Sequence, residues 1–64
     1  MKITHEWVKQ NMTKNGGYTR SQLELIGVPW PPPKGWKRRV RGNLIDDDSA
    51  RAFEEIARKT REAA

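Results

Sequence analysis

There is no cysteine in the chain, a single histidine, and no apolar run longer than a pair such as Leu25-Ile26. Without cysteine there is no disulfide staple and no thiolate zinc cluster, the commonest reinforcements of a very small protein. Apolar pairs fall far short of the ~20 residues that cross a bilayer and of the ~7 in a signal-peptide core. A soluble, cytoplasmic protein without membrane contact is the resulting expectation, and Met1 is read as the start of a complete frame. One histidine with neither a cysteine nor a carboxylate dyad gives no nucleophile and base pair, so His5 is expected on the surface and no enzymatic activity is expected. Consecutive Asp46, Asp47 and Asp48 lack the spaced loop of a calcium site, and no glycine-rich phosphate loop of Walker or dinucleotide type is present. No metal and no cofactor is therefore implied.

What remains is a chain of 64 residues with 13 Lys and Arg, 8 Asp and Glu, and a net charge of +5. A chain this short buries only ~60% of its unfolded surface, which excludes a cleft between two lobes and leaves one domain, residues 1–64. One third of the residues are charged, yet three Trp, one Tyr and one Phe are a large aromatic content for this length and favour folding over disorder.

Local signals place the elements. Thr4 is a plausible N-cap for a first helix carrying Trp7 and Val8 inward, flanked by Ile3 and Met12 and stopped by Asn15-Gly16-Gly17. Thr19 to Gln22 matches the capping box of a short second helix, with Leu23 and Ile26 inward and Gly27 as its end. Val28-Pro29-Trp30-Pro31-Pro32-Pro33 is a stiff extended connector, because four prolines remove amide donors and fix φ. Residues 34–42 fit a two-turn helix with Trp36 and Val40 inward, weakened by Gly35. A final helix is expected from Ser49 to Glu62, led by the three aspartates, with Ala50, Phe53, Ile56, Ala57 and Thr60 on one stripe and Glu54/Arg58 and Glu55/Lys59 as ion pairs. The fold class is mainly α: a compact mini-domain of three to four helices with a central proline-rich connector. Its expected core is Trp7, Leu23, Ile26, Trp30, Trp36, Val40, Phe53 and Ile56.

Charge is concentrated rather than spread. Residues 34–41 hold five cations and no anion, against four and two in residues 1–33 and four and six in residues 42–64. On a helix Lys34, Lys37, Arg38 and Arg41 would share one face, and a cationic strip suits a phosphate backbone because each neutralised phosphate releases counterions. The expected function is nucleic-acid binding, DNA more than RNA, through Lys34, Lys37, Arg38, Arg39 and Arg41, flanked by Arg20 and Lys14. A solvated face neutralised by carboxylates of the last helix is the alternative use of the same cations. The oligomeric state is left open.

Thr19 to about Gly42, a short helix, a connector and a basic helix, resembles the helix-turn-helix of small repressors and excisionases, whose later helix enters the major groove. The connector is longer than the usual turn. Gly16-Gly17-Tyr18-Thr19, Gly27-Val28-Pro29-Trp30-Pro31-Pro32 and Gly35-Trp36 are together similar to motifs of short bacteriophage and prophage reading frames. That resemblance implies a phage setting and transfers no activity; with the helix-turn-helix likeness it leaves a phage regulatory protein as the expectation. Val28 to Lys34 also fits the proline-rich ligand pattern of SH3-type domains. This leaves a second functional expectation, an adaptor or inhibitor that binds a host protein through Trp30, Pro31, Pro32 and Pro33, against the expectation that Trp30 folds over the prolines into the core.

Overall fold

In the computed structural model, which describes residues 1–62, four helices are joined by glycine and proline turns: α1 (His5–Gln10), α2 (Arg20–Leu25), α3 (Trp36–Val40) and α4 (Asp47–Glu62). Helix covers the larger part of these residues, and the only extended pairing among them is an antiparallel bridge between Lys2 and Leu44. The chain is a small mainly-α domain.

α1, α2 and α4 begin where a side chain satisfies free amides. Thr4 Oγ1 accepts from the Trp7 amide at 3.1 Å. The capping box is complete: Thr19 Oγ1 accepts from the Gln22 amide and Gln22 Oε1 accepts from the Thr19 amide, both at 3.0 Å. α2 ends in a Schellman turn, with Gly27 at φ +79°, its amide donating to Glu24 and the Val28 amide to Leu23. α4 starts two residues earlier than Ser49, because the Asp46 carbonyl accepts from Ala50 and its carboxylate bonds to Ser49. The Ser49 hydrogen bond, first among the causes, holds the Asp46 carboxyl below the usual range.

α1 is shorter than its glycine stop suggests. It ends at Gln10, where the buried Asn11 turns back to donate from Nδ2 to the Trp7 carbonyl at 2.8 Å. The tight turn at Gly16 follows separately, closed by the Thr13 and Gly17 hydrogen bonds.

The core is built by Ile3, Trp7, Val8, Leu23, Ile26, Val28, Val40, Ala50 and Phe53. Trp7 stacks on Phe53 with centroids 4.5 Å apart, and its indole Nε1 donates to Glu54 at 2.7 Å. That bond takes Glu54 away from Arg58, which pairs with Glu55 and Glu62 instead, so the expected Glu54/Arg58 and Glu55/Lys59 pairs are absent from the ion pairs of the described residues. On the stripe of α4, Ala50, Phe53 and Ala57 are buried, and Ile56 and Thr60 half-buried.

Trp30 is a correction: it is 48% exposed rather than core. Prolines on both sides fix the path of the chain there, the Trp30–Pro31 peptide is cis, and the smaller Val28, tied to the end of α2, occupies the interior instead. Trp36 is half-buried and meets Tyr18 edge-on at 5.2 Å.

Gln22 holds the domain together from inside. Fully buried, it donates from Nε2 to the Asn11 carbonyl at 3.0 Å and to the Phe53 carbonyl at 3.3 Å, while Oε1 completes the α2 cap. One amide group thus joins the end of α1, the start of α2 and the middle of α4, and no buried side-chain polar atom among the described residues lacks a partner.

Candidate nucleic-acid interface

α3 runs only from Trp36 to Val40, so the strip expected on one helical face is not formed as such. Gly35, at φ +83°, precedes the helix without a side-chain cap, and Arg41 leaves it in an extended conformation ahead of Gly42 at φ +90°. Left-handed Gly35 before the helix and extended Arg41 after it limit it to five residues. Lys34 therefore stands in the turn before α3, exposed and outside the cluster that the others form.

Three of the cations do converge. Lys37, Arg38 and Arg41, with Gly35 and His5, line an open depression of about 420 Å³ between α3 and the start of α1. Arg39 points to the other side of α3, into a groove of about 180 Å³ with Pro29, Pro33, Trp36 and Val40. Four of the five cations are thus split between two surfaces, and Lys34 lines neither. α3 is held against α1, and the backbone pairing of residues 1–3 with 42–45 fixes this register: Ile3 donates to Asn43 at 2.8 Å and Gly42 to Ile3 at 2.8 Å.

The alternative fate for these charges, neutralisation by the last helix, is not seen. Ion pairs among the described residues are Arg20–Glu24, Arg58 with Glu55 and Glu62, and the Met1 ammonium with Asp47. None of them involves residues 34–41. Lys37 instead lies near two aromatic rings, its Nζ 5.4 Å from the Tyr18 centroid and 5.8 Å from that of Trp36. The Tyr18 hydroxyl donates to the Val8 carbonyl at 3.0 Å, and burial pushes its pKa above the usual phenol value.

The two flanking cations are placed differently. Arg20 is engaged by Glu24 at 3.2 Å, and Lys14 lies exposed in the turn after α1. Neither lines the depression. His5 does, and Lys9 joins Lys37 in an adjoining hollow. Both were passed over in the sequence because what brings α1 to α3 is a long-range backbone pairing with no periodic signature.

Helix-turn-helix geometry is also absent. α2 packs on α4 and α3 on α1, and the two helices of the resemblance do not pack on each other. The proline connector is the physical reason, since it carries the chain across the core at Val28 before α3 begins. No family model matches the chain, and no curated protein or solved structure is significantly similar to it. No helix among the described residues is long and apolar enough to cross a membrane.

Proposed function

We propose that the protein binds nucleic acid, with DNA as its first candidate partner, through the depression formed by Lys37, Arg38, Arg41 and His5. The observation that carries this reading is a convergence of three cations without carboxylate partners on a chain of net charge +5. Cations left unpaired by the fold are available for phosphate oxygens, and Arg can engage these bidentately. Phosphate contacts then supply affinity without base sequence, and Lys34, Lys14 and Arg39 extend the field around the site. A cytoplasmic regulator of the bacteriophage kind fits this activity.

A salt titration tests it. Affinity for a DNA strand should fall as a power of salt concentration, with a slope of about −0.7 to −0.9 for each phosphate neutralised. Replacing Arg38 and Arg41 by alanine should flatten the slope by about two such increments, whereas Arg20→Ala should leave it unchanged. Equal slopes for the parent and the double variant would remove the assignment.

The exposure of Trp30 favours a second reading, an adaptor that binds a host protein. Trp30 and Pro31 stand in solvent beside the groove lined by Pro29, Pro33 and Arg39, an apolar anchor next to a cation. Its signature is a protein partner retained after nuclease treatment, lost with Trp30→Ala and kept with Arg38→Glu/Arg41→Glu, which alters only the basic depression. The opposite pattern returns the function to the basic depression.

A further inference from the structure

The basic depression has a neighbour of different chemistry. A hollow of about 220 Å³ is lined by Val8, Met12 and Tyr18, with Lys9 at its rim, and it shares His5 and Lys37 with the basic depression. One lysine therefore lines both hollows, with its ammonium 5.4 Å from the Tyr18 ring centroid and 5.8 Å from that of Trp36. Met12 and Tyr18 are half-buried, so each keeps some surface open, and Tyr18 is fixed in place by its hydrogen bond to Val8. A polarizable thioether and a held aromatic ring suit a planar π-system, which any nucleobase presents.

The shape of the site separates the forms of nucleic acid. Duplex DNA turns its phosphates outward, keeps its base faces stacked, and admits a protruding helix into a groove about 12 Å wide. Here the cationic helix has five residues, rises about 7.5 Å, and forms the wall of a recess shared with α1. A single strand offers both a phosphate and an unstacked base face to such a recess. Building on the nucleic-acid reading above, we propose that the site takes single-stranded nucleic acid, one phosphate seated among Lys37, Arg38 and Arg41 and an adjacent base against Met12 and Tyr18.

Fluorescence anisotropy with the intact protein tests this on short labelled probes at one salt concentration: an oligothymidine strand, its RNA counterpart, the matching duplex, and an abasic strand of equal phosphate number. The base-bearing single strands should bind about tenfold more tightly than the abasic strand, the size expected for one stacked base, and more tightly than the duplex. The DNA and RNA arms report which sugar is preferred. Met12→Ala should shrink the advantage over the abasic strand and leave abasic binding unchanged. Tyr18→Leu should do so more strongly, with circular dichroism checking that it folds. Equal affinity for abasic and base-bearing strands, or a preference for the duplex, overturns the single-strand assignment while the polyanion site stands. Absence of binding to every probe overturns both.

Discussion

Gln22 and Arg38 show how differently the interior and the basic surface of this small domain use polar groups. Around Gln22 every donor and acceptor is committed: one side chain, sealed from solvent, engages Thr19, Asn11 and Phe53. Around Arg38 the cations are exposed, and none is in an ion pair among the described residues. Both regions are equally polar in sequence, so polarity alone does not distinguish a structural group from one available for binding. Commitment of the hydrogen bonds does.

The comparison can be broken most directly by exchanging the consequences. Gln22→Leu should cost about 2–4 kcal/mol, because it strands buried carbonyl and amide groups that no water replaces. The double substitution of Arg38 and Arg41 by alanine should stay within about 0.5 kcal/mol per site, as expected for surface groups without partners. Urea denaturation followed by tryptophan fluorescence measures both. Similar losses at the two sites would mean that the basic cluster also supports the fold.

A smaller effect sharpens the contrast between the two glycine boundaries. Gly27 and Gly35 both have positive φ, but only Gly27 closes a helix that packs in the core, through the paired Schellman hydrogen bonds. Gly27→Ala should lose about 1 kcal/mol of stability. Gly35→Ala carries the same left-handed backbone strain, with open space around either added Cβ, and should show its cost mainly as a displaced α3 and altered polyanion binding. A stability loss at Gly35 matching that at Gly27, with binding intact, would reverse this assignment.

The local half of the structure was legible from residue types. Thr4, the Thr19 and Gln22 box, Gly27 and the aspartates before α4 announce themselves because a cap needs only neighbours in sequence. Trp30 was misplaced by weighing side-chain size above chain direction, whereas two flanking prolines and the burial of Val28 decide where it goes. The same limit applies at the site. Lys37, Arg38 and Arg41 could be chosen by charge density, but not their separation from Arg39, which depends on where α3 stops. Nor could His5 be chosen, since the pairing of residues 1–3 with 42–45 spans most of the chain.

The smallest expected effect concerns acid. Asp46 has its pKa lowered in the folded state, first by Ser49, so its contribution is present above the ordinary carboxylate range and lost as pH falls through the folded value. Stability should therefore carry an acid-side decline below about pH 4 to which Asp46 contributes. Asp46→Asn keeps a capping oxygen and should reduce that decline, measurable as the difference in urea midpoint between neutral and acid buffers.

The three indoles of this chain occupy three unlike settings: Trp7 is stacked on Phe53, Trp36 lies edge-on to Tyr18 beside a lysine ammonium, and Trp30 stands in water. Intrinsic emission is consequently a composite of separable signals. A soluble quencher should silence Trp30 first, red-shifted light should come from it, and the blue edge should follow the interior, so one cuvette can watch unfolding and surface occupancy together without any added dye.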